Sequence, residues 1–305
     1  MVVPRVRKSL TPRKSGTPST NRKLHFNNVA LGVVSIRLLH GQSTLDLTYK
    51  DKNIGYVLHP SVVSNLPPRP VIADIGTGTG KFLLHLAKSF PDATLHGFDI
   101  SPSLFPAPQT LPSNMSLDIM DIKQPPHPNH ENKYDFINVR LIAAGINQTE
   151  WDLVVCNIST LLKPGGSIQW VECNWADVQH IRGDVMSSVA TARSMGSMFK
   201  EGLRDKFSHG WKLLPQLFLD QGFDNIEEDI VSSDRVVETR SAMTRNGMQA
   251  IFGWARLLSS RNAVGSLSMD DLATLEAKAE QDIDSGCYVR FDIHVVLGFK
   301  PDKSR

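Results

Sequence analysis

The chain has 305 residues, with 33 Lys plus Arg against 31 Asp plus Glu and 41% hydrophobic content. A net charge of +2 gives no reason to expect nucleic acid or a membrane surface as the main partner. No apolar run approaches the roughly 20 residues that a membrane helix needs. The length suffices for a large buried core, as one big domain or a domain with a cap.

Residues 1–23 contain seven Lys or Arg, no acids, and many Ser, Thr and Pro, so they bury too little apolar surface to offset the entropy of ordering. A disordered basic tail is expected, on a cytoplasmic protein. A nuclear address and a mitochondrial presequence are the alternatives, and Pro4, Pro12 and Pro18 argue against the helix that a presequence needs. The three cysteines, Cys156, Cys173 and Cys287, lie far apart without metal-ligand spacing. Reduced thiols in an intracellular protein, and no metal site, are expected.

Beyond the tail, helical stretches around 26–40 and 60–65 precede a strand over 71–75 and a helix over 80–89. Strands then follow over 94–98, 115–119 and 134–139, with a helix over 148–162 and a strand over 167–172. Such alternation forces a parallel sheet with helices on both faces, an α/β Rossmann-like architecture with ligands at the carboxyl ends of the strands. Residues 218–226 read as a helix stopped by glycine and then a strand, and 288–299 as a final antiparallel strand. Helical patterns over 174–214 and 236–285, with residues 24–66, are expected to form a cap over the ligand edge, either a lid or a structural appendage. The domain is therefore placed at 24–305.

The most informative ten residues are Val71-Ile72-Ala73-Asp74-Ile75-Gly76-Thr77-Gly78-Thr79-Gly80. A buried strand runs into an acid and alternate glycines, a turn that leaves its backbone bare for a cofactor. A dinucleotide turn wants a third glycine where Lys81 stands, and a P-loop wants Ser or Thr where Phe82 stands and glycine where Ile75 stands. Neither pattern fits. Asp99 ends the second strand 19 residues after Gly80, right for an acid accepting two bonds from ribose hydroxyls.

In these residues the chain resembles the class I S-adenosylmethionine-dependent methyltransferases, whose first motif reads acid-x-Gly-x-Gly-x-Gly. The resemblance continues through Leu95-His96-Gly97-Phe98-Asp99-Ile100-Ser101, Asp118-Ile119-Met120-Asp121-Ile122, Tyr134-Asp135-Phe136-Ile137-Asn138-Val139-Arg140 and Leu161-Leu162-Lys163-Pro164-Gly165-Gly166. Its wording is most similar to fungal LaeA-like secondary-metabolism methyltransferases, through Gly55-Tyr56-Val57-Leu58-His59-Pro60-Ser61 and Gln169-Trp170-Val171-Glu172.

The resemblance implies a seven-stranded, mostly parallel sheet with its last strand inserted antiparallel. It also implies S-adenosylmethionine held by Asp74, Gly76, Thr77, Gly78 and Gly80 at the loop and by Asp99 with Ile100 at the ribose. Asp121 would meet the adenine amine, with Ile122 covering the ring and Asp118 as the competing position. Arg140, closing the fourth strand, either reaches the cofactor or forms an ordinary salt bridge.

Methyl transfer from a sulfonium is a direct displacement, in which alignment alone can supply on the order of 7–11 kcal/mol. A base is optional; His59, His180 and His209 are the candidates should the acceptor be a hydroxyl. Glu172 beside Trp170 and Trp175 would either meet the substrate or cap the strand end. Trp170, Trp175, Phe199, Trp211, Phe252 and Trp254 are candidates for a pocket around a flat metabolite, or for core. The resemblance implies methylation of a small-molecule natural product, expected on oxygen. The alternatives are a cyclase or pericyclase that retains the cofactor without moving its methyl, a LaeA-like nuclear regulator, and an NAD-dependent oxidoreductase, which the missing glycine disfavours.

Overall fold

The computed structural model describes residues 47–208 and 210–302. The basic tail 1–23, cap residues 24–46 and the candidate base His209 lie outside them. In chain order come helices α1 (Leu47–Ile54) and α2 (Pro60–Asn65), strand β1 (Val71–Ile75), α3 (Lys81–Ser89), β2 (Thr94–Asp99), β3 (Met115–Ile119), β4 (Tyr134–Arg140), α4 (Trp151–Leu161) and β5 (Leu162–Cys173). Then follow β6 (Gln179–Arg182), α5 (Ala190–Gly202), α6 (Arg204–Phe207), α7 (Leu214–Asp220), β7 (Asp224–Ser232), α8 (Arg240–Ser260), α9 (Met269–Asp284), β8 (Cys287–Arg290) and β9 (Asp292–Phe299).

Seven strands form one sheet in the order β3-β2-β1-β4-β5-β9-β7. The first five pair in parallel, and β9 enters antiparallel between β5 and β7. This is the Rossmann-like arrangement expected. Successive residues of a strand face opposite sides, so each strand feeds two cores. Ile72, Phe136, Val171 and Val295 join one core with cap residues Phe199 and Trp254. Their neighbours Ala73, Ile137, Trp170 and Val296 join the other with Trp151, Val154 and Phe218. Burial on both faces explains why the central strands read as apolar runs rather than alternating ones.

The stretch expected as one strand over 288–299 is two. Ser233 interrupts it: its hydroxyl accepts the Phe291 amide at 3.0 Å and its own amide donates to the Phe291 carbonyl at 2.9 Å. Residues before the break pair with β6 in a separate antiparallel ribbon, and those after it enter the main sheet. The region expected to be helical over 174–214 therefore contains a strand, and the described cap is α5, α6, α8 and α9 packed with a β-ribbon. The six aromatics offered as pocket lining are core instead; none is more than 4% exposed. No helix among the described residues is long and apolar enough to cross a membrane.

Candidate active site

The loop after β1 curls over the end of β2, with the Gly76 and Thr77 amides both donating to the Phe98 carbonyl at 2.8 and 2.9 Å. Gly76 has φ +72°, and a Cβ there would lie 2.6 Å from Ile142 Cγ2. The left-handed backbone and the close side chain together demand glycine.

Asp74, 3% exposed, is spent on the loop itself. Its Oδ2 accepts from the Thr77 hydroxyl at 2.7 Å and its Oδ1 from the Asn138 amide at 2.7 Å. Burial pushes its carboxyl above the usual range, opposed by these two bonds and by the charge of Arg140. Asp99, 2% exposed, is held from both sides: Oδ2 accepts the Gly78 amide and Oδ1 the Ser101 amide, each at 2.9 Å. A carboxylate offers about four acceptor sites, so these bonds orient Asp99 without exhausting it.

A pocket of about 240 Å³ opens at these strand ends, lined by Gly76, Asp99, Ile100, Asp121, Ile122 and Ile142 among others. Of the two competing acids in and after β3, Asp121 lines it, oriented by the Lys123 amide at 3.0 Å. Asp118 is exposed on the strand and does not line it. Asp99, Asp121 and Lys123 stand in a wall otherwise made of apolar side chains and glycines, and the two carboxylates are acceptors that suit the hydroxyls and amine of a nucleoside. Behind the pocket, Asn138 is wholly buried beside Asp74 and, among the described residues, its Oδ1 has no hydrogen-bond partner.

Arg140 does not line the pocket. Its guanidinium pairs with Asp51 of α1 at 3.3 Å and lies 5.0 Å over the Phe82 ring, so it fastens α1 to the end of β4. Glu172 does not line the pocket either. At 2% exposure its Oε1 accepts the Ile142 amide at 2.9 Å, the Ala143 amide at 3.1 Å and the Trp170 indole at 3.0 Å. It thereby anchors the turn that carries the pocket wall residue Ile142.

His59 caps α2: its Nδ1 accepts the Ser61 amide at 3.2 Å and lies 3.7 Å from a Glu227 carboxylate oxygen. It does not line the pocket, because its main chain is drawn to β5 by Gln169 Oε1, 2.8 Å from the His59 amide. His180 lies in a different cleft, against α5, where burial pushes its imidazole down to about 4. Sequence reasoning missed Asn138 and Ile142. Asn138 carried a readable signal, being the one uncharged polar residue in the apolar run of β4; Ile142 carried none, since its role depends on a turn fixed by Glu172.

A family model described as a methyltransferase domain matches residues 72–166, from β1 through the glycine loop, Asp99 and Asp121 into β5. The chain carries a class I S-adenosylmethionine-dependent methyltransferase domain. This methyltransferase is 29% identical over 248 residues to Methyltransferase grgD of Penicillium sp, covering 75% of this chain and 82% of that protein. It is 38% identical over 105 residues to N-methyltransferase sirN of Leptosphaeria maculans, covering 34% of this chain and 36% of that protein. Over 182 residues it is 28% identical to Secondary metabolism regulator laeA of Gibberella zeae, covering 54% of this chain and 55% of that protein. The matches to the last two thus span about a third and about half of those relatives. The LaeA-like wording of the motifs has its counterpart in that third relative.

Proposed function

We propose that this methyltransferase acts in secondary metabolism, transferring a methyl group to an oxygen of a small natural product. The observation that carries the reading is the pocket at the ends of β1, β2, β3 and β4, where the carboxylates of Asp99 and Asp121 stand among mostly apolar lining residues. When bound, S-adenosylmethionine supplies an electrophilic methyl on a sulfonium. Asp99 accepts the ribose hydroxyls, Asp121 the adenine amine, and Ile100 with Ile122 flanks the ring. Asp74 and Thr77 shape the loop, while Gly76, Gly78 and Gly80 keep its backbone open.

Among the described residues no histidine lines the pocket. The acceptor in this reading is one whose proton leaves readily to water, such as a phenol or enol. A neutral amine is the second reading, favoured by the match to N-methyltransferase sirN. The cap serves as a lid in this reading. It shares a core with the sheet, and Lys206 of α6 donates from Nζ to Asn147 Oδ1, joining the cap to the turn after β4.

The test is incubation of the full chain with cofactor bearing a trideuterated methyl and a natural-product extract, read by mass spectrometry. A product three mass units heavier than its unlabelled counterpart, with the label on oxygen and stoichiometric S-adenosylhomocysteine, is expected. Label on nitrogen selects the amine reading. New product without S-adenosylhomocysteine would point to a cyclase, and no product at all to a regulator; either outcome overturns the proposal.

A further inference from the structure

A second cleft, of about 350 Å³, lies on the cap between β6 and α5, and the nucleoside reading makes no use of it. Its helical wall presents Arg193, Gly196, Ser197 and Lys200, spaced i, i+3, i+4 and i+7 on one face. Its other wall presents Gln179 and His180. The cleft is rich in hydrogen-bond donors and contains no acid. Arg193 donates from Nη2 to the His180 carbonyl at 2.9 Å, which fixes the guanidinium at the mouth. Among the described residues neither Arg193 nor Lys200 has a carboxylate within ion-pair distance.

His180 is only 4% exposed, and its Nε2 makes no hydrogen bond. An orphaned buried polar atom is costly and calls for a partner. The ring rests against Gly196, where a Cβ would come within 2.5 Å of Cε1 and 2.8 Å of Nδ1. Only glycine leaves the imidazole its place in the wall.

We propose that this cleft binds the phosphate group of a small phosphorylated molecule. Two cations, a hydroxyl, an amide and an imidazole exceed what the two oxygens of a carboxylate use, and they match the three outward oxygens of a phosphate monoester. The volume leaves room for an organic remainder.

The experiment titrates the full chain with inorganic phosphate and, in a parallel arm, with acetate, following binding by calorimetry and the His180 ring by NMR. Saturable phosphate binding is expected, perturbing the His180 resonances and weakened at least tenfold in Arg193→Met/Lys200→Met. S-adenosylmethionine affinity should be unchanged in that variant, which separates this site from the nucleoside pocket. Lys200→Met alone breaks no hydrogen bond of the described structure, and it should weaken phosphate severalfold even if the double variant folds poorly. Absence of saturable binding, phosphate binding indifferent to these substitutions, or acetate binding as tightly as phosphate would each overturn the assignment.

Discussion

The Asp99 carboxylate accepts the amide of Gly78 at 2.9 Å, so the acid ending β2 and the glycine loop following β1 are one hydrogen-bonded unit. The second oxygen of Asp99 is turned by Ser101. Loop shape and ligand recognition are therefore coupled at a single side chain, which is where substitution should tell most.

Asp99→Ala removes the acceptor proposed for the ribose and releases Gly78. Charge-assisted bonds contribute about 1.5–3 kcal/mol each, so cofactor affinity should fall by at least roughly 100-fold. Calorimetric titration measures it, with circular dichroism checking that the fold is kept. Unchanged affinity would overturn the ribose assignment.

Glu172→Ala leaves the Ile142 and Ala143 amides and the Trp170 indole without their shared acceptor. A loss of roughly 3 kcal/mol in urea unfolding is expected, with weaker cofactor binding as the wall residue Ile142 loosens. Glu172→Gln keeps a neutral acceptor and should recover most of both. Equal damage from the two substitutions, confined to turnover, would restore a catalytic role.

Gly76→Ala imposes a left-handed backbone on alanine, about 1–2 kcal/mol, and drives its Cβ against Ile142. Adding Ile142→Ala should relieve the clash but not the backbone strain. A double-mutant cycle on thermal unfolding should then show a favourable coupling; strict additivity would mean that the contact carries no energy.

His180 is held neutral by burial, with its imidazole pushed down to about 4 from an ordinary 6.5. Its unfolded form binds a proton that its folded form refuses between those values. The stability tied to it is complete above pH 6.5 and is lost as pH falls toward 4, by on the order of 3 kcal/mol. Unfolding free energies measured across this window should fall less steeply with acid in His180→Gln than in the parent. Parallel curves would show that the imidazole titrates normally.

The glycine spacing, Asp99 and Asp121 were legible because strand ends in a parallel sheet are local punctuation, an apolar run closed by an acid or glycine. The parallel sheet followed from the alternation of strands and helices, whereas the strand order came only from the structure. Arg140 and Glu172 were not legible in their roles. A strand-end charge has the same local signature whether it meets a ligand, pairs with a remote helix as Arg140 does with Asp51, or accepts amides from a neighbouring turn as Glu172 does. The break at Phe291 was likewise hidden, since the residue that makes it, Ser233, stands far away in the chain.

From its amino acids alone this chain declared a doubly covered sheet and a nucleoside-binding edge, because hydrophobic period and glycine spacing are properties of neighbouring residues. Folding in three dimensions decided which polar side chains turn inward to hold the framework and which remain for ligands. That choice depends on partners brought together across the sheet, and a buried carboxylate must find its hydrogen-bond donors wherever the packing supplies them.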